Sequence, residues 1–202
     1  MRLAAYLVVF CTLPLAAQNA ALPPAPTNSD PLTPGEKSEL ALKNVFGLGS
    51  LAGSVSSTGL RHLANSPEEW GQGPGGFARR FGSFYGRLAI RESITLGSDL
   101  AFKTEPRYDR CECSGIRNRT FHALRRVIIA RRDNGKEMLN ISSIAGAFGG
   151  AFIADQWYPD RYNTVSHHFT STITDLAILG GIQVVWEFLP ISKRQKRISN
   201  RY

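Results

Sequence analysis

From Glu36 to Leu189 apolar positions recur every three or four residues, and no stretch alternates apolar and polar residues for long enough to predict a substantial sheet. The pattern predicts a mainly α fold: a single bundle of four to five glycine-rich helices, within a domain covering 36–192. Thr33, Pro34 and Glu36 have the spacing of a capping box with proline at the first helical position, so the first helix should run from Glu36 to about Ala64. Leu40, Leu42, Val45, Phe46, Leu48, Leu51 and Leu60 give it an apolar side. The second helix should follow the loop GQGPGG and extend from about Phe77 to Phe102. It turns Phe81, Phe84, Tyr85, Leu88, Ile90 and Leu96 to the core, with Arg79, Arg80, Arg87 and Arg91 on another side.

A third helix is expected from Arg117 to about Arg131, with Phe121, Leu124, Val127 and Ile128 on one face, ending at the turn Asp133-Asn134-Gly135. The β-branched run RVIIA allows a second reading, a small hairpin at 127–140 that pairs RVIIA with EMLNI across that turn. The fourth helix should start near Ser142 or Ser143 and stop at Tyr158 before Pro159, and the fifth should run from about Thr164 to Leu189, where Pro190 ends it.

Ser142, Gly146, Gly150 and Ala154 recur every fourth residue and form a stripe with almost no side chain. Gly49, Gly53 and Ser57 repeat the device in the first helix, Gly82 and Gly86 in the second, and Ala177 and Gly181 in the fifth. A helix-interior glycine costs about 1 kcal/mol relative to alanine, so close packing has to offset it. Such spacing is enriched between helices in membranes and also occurs in soluble bundles. The most apolar window, Ile173 to Ile191, carries Asp175 and Glu187, and the fourth helix is apolar only from Ile141 to Ala154. The mean hydropathy of the chain is slightly negative. A glycine-packed soluble or peripheral bundle is therefore expected, with a multi-span membrane protein packed by small-x3-small helices as the alternative.

The ends add location. Arg2, the apolar run Leu3 to Leu15 and the small residues Ala16-Ala17 have the layout of a signal peptide over 1–17, shorter than the roughly 20 residues that cross a bilayer. Residues 18–35 are proline-rich and read as a flexible linker; 193–202 form a basic tail with Lys193, Arg194, Lys196, Arg197 and Arg201. The formal charge is +8. In an exported protein that favours an anionic membrane surface or an envelope polymer over nucleic acid. Cys111 and Cys113, in RCECSG, are disulfide candidates in an oxidising compartment, or loop thiols. They lack the further ligands a zinc site needs, so neither a metal nor a cofactor is expected.

Candidate chemistry is sparse. Gly71, Gly73 and Gly76 match G-x-G-x-x-G, but the preceding ANSPEEW does not read as the strand a dinucleotide fold requires. A weaker possibility is an anion docked where that loop enters the helix, held by Arg79 and Arg80. Arg125 and Arg126 are further candidate anion contacts. His122, His167 and His168 are the candidate catalytic groups, with Asp155, Asp160 or Asp175 as orienting carboxylates. Adjacent helical residues point about 100° apart, so His167 and His168 should not share one metal. No nucleophile elbow or H-E-x-x-H helix accompanies them. RNRTFHALRR lacks the companion motifs of a membrane acid phosphatase.

Several blocks together, LALKN, GQGPGGFARRFGSFYG, EPRYDR, HALRRVIIARRDNGKEMLNIS, the YPD turn and WEFLP, resemble a group of uncharacterised exported bacterial proteins from about Leu40 to Pro190. The resemblance implies an exported, mostly helical domain and brings no activity, cofactor or catalytic residue with it. The expectation is a non-enzymatic, envelope-associated helical protein that contacts anionic lipid or an envelope component. The alternatives are a small periplasmic hydrolase or phosphate-handling enzyme, and the multi-span protein.

Overall fold

The computed structural model describes residues 30–189. The segments 1–17 and 193–202 lie outside the described residues, as does 18–29 of the proline-rich stretch. Six α-helices and one hairpin make up the described chain: α1 (Pro34–Phe46), α2 (Leu48–Leu63), α3 (Pro74–Phe102), α4 (Ile116–Ile128), β1 (Ile129–Arg131), β2 (Glu137–Leu139), α5 (Ile141–Ala154) and α6 (Val165–Phe188). The fold is mainly α, as the periodicity predicts. Short 3-10 turns stand at Glu68–Trp70, Asp155–Trp157 and Asp160–Tyr162.

The start of α1 follows from local chemistry. The Thr33 hydroxyl oxygen accepts from the Glu36 backbone N–H, and the Glu36 carboxylate accepts from the Thr33 N–H at 2.8 Å, so the capping box is complete. The chain before it is not all linker: Leu32 is buried and its N–H donates to Glu105 Oε2 at 2.8 Å. The single first helix expected over 36–64 is interrupted at Gly47, whose extended backbone (φ −66°, ψ 149°) closes α1 and opens α2. A Cβ there would stand 2.4 Å from the Lys43 carbonyl oxygen.

Both readings of RVIIA hold in part. Residues through Ile128 stay helical, and the next three pair antiparallel with β2 in the register Ile129 to Leu139, Ala130 to Met138 and Arg131 to Glu137. Gly135, at φ 80°, carries the turn in a conformation that disfavours a side chain. Lys37 pins the hairpin to α1 through a 2.8 Å ion pair with Asp133.

The helix order in space is α1 and α2 on α3, α3 on α5, α5 on α6, and α6 on α4. The closest seam, α3 on α5, is where the glycine stripe works. A Cβ on Gly146 would lie 2.1 Å from Thr95 Oγ1 and 3.1 Å from the Arg91 carbonyl oxygen; one on Gly150 would lie 3.0 Å from the Arg91 Cβ. In α6 the close approach falls at Gly180, against Leu124 and Val127, one residue before the Gly181 that spacing singled out. Gly53 is buried in α2, and Gly49 and Gly181 are half-buried. Gly82 and Gly86 are corrections to the expected stripe: a Cβ on Gly82 meets nothing within 4 Å, and one on Gly86 meets only Trp157, at an ordinary 3.8 Å. That side of α3 faces no second backbone.

The interior is unusual in what it holds. Lys37, Arg80, Asp99, Glu105, Asp109, Arg126, Asp155, His168, Gln183 and Glu187 are buried, while the large apolar side chains fully buried with them are few: Leu32, Leu40, Val45, Tyr108, Val127 and Ile182. In α2 the faces are inverted. Ser50, Gly53, Ser54, Ser57 and Thr58 point inward, and Leu48, Leu51, Val55 and Leu63 point outward. Likewise, none of the apolar residues expected in the core face of α3 is fully buried; its buried positions are Gly76, Arg80, Ser83 and Asp99.

Candidate membrane-facing surface and polar interior

The four candidate anion-binding arginines have different fates. Arg80 is almost wholly buried and fills the glycine loop itself. Its guanidinium donates to the backbone oxygens of Ser66 (3.0 Å), Gly71 (2.6 Å) and Pro67, and its Nη1 lies 3.1 Å from His62 Nδ1. The loop that was expected to cradle an anion is thus occupied by a cation from its own helix. Arg125 makes a two-pronged pair with Glu137 at 2.8 and 2.6 Å, and Arg126, buried, pairs with Asp109 and Glu137. Arg80 and Arg126 are buried and closed to an outside anion, whereas Arg125 is exposed and engaged by Glu137 at the surface. Arg79 is exposed and makes no ion pair among the described residues; it stands beside Trp70, Ser83 and Trp157.

Two of the three candidate histidines, His167 and His168, meet at Asp155, one of the carboxylates expected to orient them; His122 stands apart. His122 is fixed to the Asp109 carbonyl oxygen at 2.9 Å and packs edge-on against Tyr108. His168, buried in α6, binds Asp155 Oδ2 through Nδ1 at 2.7 Å. His167 also reaches Asp155: its Nε2 lies 3.8 Å from Oδ1 and 3.4 Å from Ser171 Oγ. A hydroxyl–imidazole–carboxylate relay needs the acid and the hydroxyl on opposite ring nitrogens. Here both approach Nε2, so the trio cannot relay a proton. Burial lowers the pKa of His167, against the Asp155 charge. Among the described residues no cluster of His, Cys, Asp and Glu could hold a metal.

A larger polar node, missed by sequence, closes the end of α6. The Glu187 carboxylate is fully buried and accepts from Tyr108 OH at 2.6 Å, Arg119 Nε at 3.0 Å and the Cys111 N–H at 3.3 Å. Burial, then the bond to Glu187, raises the Tyr108 pKa. Cys111 and Cys113 are joined by a disulfide at this node. The sequence signal was the charged residue inside the most apolar window, which can stand there only if paired. Midway along, Arg87 of α3 meets Asp175 of α6 at 2.8 Å. Burial also pushes the carboxyl of Asp99 up to about 6, against the pull of the Ser142 and Thr104 hydroxyls.

What these networks turn inward leaves an apolar exterior. On α6 the exposed positions Val165, Ser166, Phe169, Thr170, Ile173, Thr174, Ala177, Val185 and Phe188 carry no charge. Phe148 and Phe152 of α5 stack at 6.2 Å, and Phe148 meets Phe169 of α6 at 5.7 Å, which makes one continuous aromatic surface across two helices. Phe148, Phe152, Phe169 and Ile173 are 37%, 47%, 55% and 65% exposed. At the start of α6 a string of rings follows: Trp70 on Tyr158 (4.8 Å), Tyr158 on Tyr162 (5.7 Å) and Tyr162 on His167 (5.1 Å). Among the described residues α6 is the one helix long and apolar enough to cross a membrane.

No family model matches the chain, and neither curated proteins nor solved structures give a match.

Proposed function

We propose that the chain is an exported, envelope-associated protein that binds a lipid bilayer through the outward apolar face of α5 and α6. The observation that carries this is the charge-free surface on which Phe148, Phe152 and Phe169 join. An apolar patch of that kind marks a site of association, and amphipathic rings such as Tyr158 and Tyr162 settle at the headgroup level. The signal-like layout of residues 1–17 supports the location.

Binding is face-on. A full crossing by α6 would carry α4, which packs against it, into the hydrocarbon together with the exposed Arg117 and Arg125. Each charge at mid-bilayer costs about 2.5 to 3.5 kcal/mol or more. With Arg80 and Arg126 buried and Arg125 paired with Glu137, the driving force is apolar rather than ionic. The test is flotation of the processed protein with vesicles. It should float with zwitterionic as well as anionic lipid and remain bound from about 0.1 to about 1 M salt, where surface charge is screened. Failure to float, or release by salt, overturns the reading.

A further inference from the structure

Between α1, α3, α5 and α6 lies a cavity of about 110 Å³ that abuts a second of about 90 Å³; Thr95, Asp99, Tyr108, Ser143 and Gln183 line both. A water needs roughly 10–15 Å³ of such space. The first lobe alone therefore has room for several waters or one small solute.

The polar groups facing the first lobe are unevenly satisfied. Gln183 is over nine-tenths buried and its Oε1 has no hydrogen-bond partner. Asn44 Nδ2 donates to Glu92 Oε2 at 2.9 Å, which fixes the orientation of its amide and leaves Oδ1 buried without a partner. The buried Asp99 carboxylate is met by neutral hydroxyls, Thr104 Oγ1 at 2.6 Å and that of Ser142, and makes no ion pair among the described residues. Two of the cations in the wall are already committed, Lys37 to Asp133 at 2.8 Å and Arg107 to Glu105 at 2.6 Å. Arg91, which also lines this lobe, makes no ion pair among the described residues. Buried polar atoms left in this state are a cost to the fold, and a ligand that pairs with them recovers it.

We propose that this cavity binds a small zwitterionic amino acid, with glycine or alanine as the size that fits. Asn44 Oδ1, Gln183 Oε1 and the Asp99 carboxylate take the ammonium group, and Arg91 takes the carboxylate. Leu96 and Leu179, also in the wall, leave room for a methyl group but supply no partner for a polar side chain. The site is independent of the membrane-binding face, and its failure would leave that reading untouched.

The test is calorimetric titration of the purified full chain with alanine, with ethylammonium and propionate as half-ligands and phenylalanine as an oversized one. Alanine should bind saturably, and each half-ligand at least tenfold more weakly. Asp99→Asn and Arg91→Gln should each weaken alanine at least tenfold, in variants shown to be folded by their circular dichroism and melting. No saturable alanine binding by the unmodified protein overturns the proposal. So does alanine binding that either substitution leaves unchanged, or ethylammonium, propionate or phenylalanine binding as tightly as alanine.

Discussion

Replacing Phe152 and Phe169 together with alanine tests the membrane-facing surface most directly. The two rings are 47% and 55% exposed, so the pair leaves about one phenylalanine's worth of apolar surface in water. Burying that much in lipid is worth about 1.5 to 3 kcal/mol, which corresponds to a partition constant about tenfold to a hundredfold weaker in the double variant. The measurement is sedimentation with dense zwitterionic vesicles over a range of lipid concentrations, at low and high salt. The unmodified protein should give the same partition constant at both salts. The variant should fall by the stated factor at both. Circular dichroism controls for folding, because the inward sides of the two rings touch Phe148 and His168. A folded double variant that binds as well as the unmodified protein would refute the argument, because the free energy must then come from elsewhere on the surface.

Gly146→Ala should destabilise chemical unfolding by about 1 to 3 kcal/mol, because the new methyl runs into Thr95 and the Arg91 backbone; Gly82→Ala, open to solvent, should stabilise by up to about 1 kcal/mol. If Gly146→Ala is neutral, the α3–α5 seam is not set by backbone approach. Glu187→Ala strands Arg119 and Tyr108 OH and should cost about 3 to 5 kcal/mol, whereas Arg161→Ala, which loses exposed pairs with Glu68 and Glu69, should leave the unfolding midpoint unchanged. Equal effects would deny the Glu187 node its role. Asp99 has its pKa raised from 3.8 to about 6, so the protonated form is favoured in the folded chain. Its stabilising effect is whole below about pH 4 and is lost as pH rises through about 6, a difference of about 3 kcal/mol. Asp99→Asn should remove that loss, and unfolding curves of both proteins across this range should diverge only as pH rises.

The periodicity told which segments are helical but not which side of each faces inward. In α2 the leucines and the serines both recur with helical spacing, and the serine face is the narrower one. Packing against α3 takes the narrower face, so the apolar side chains expected in the core stand outside. The arginines misled for a related reason: a run such as Arg125-Arg126 carries its charge visibly, but the acids that neutralise it, Asp109 and Glu137, come from a loop and a strand elsewhere in the chain. Local signals did better. The Thr33 and Glu36 box, the glycine stripe of α5 and the turn at Gly135 depend on neighbours within a few residues or on one seam.

Inverted polarity imposes its own requirement. A bundle that buries Glu187, Asp99, Arg126 and Arg80 gives up hydration worth several kcal/mol for each charge and recovers it only through partners held in fixed places. Those partners come from far along the chain, as when Glu187 of α6 meets Tyr108 and Arg119, so the networks tie distant segments to one another. Their geometry is set by interior contacts, and it does not depend on what covers the outer face. The outer faces of Phe152 and Phe169 are therefore free to contact lipid, while their inner sides, against His168 and Phe148, add only a minor share of the α5–α6 packing. On this account substitutions on the outer face should change where the protein resides, and substitutions in the polar interior should change whether it folds.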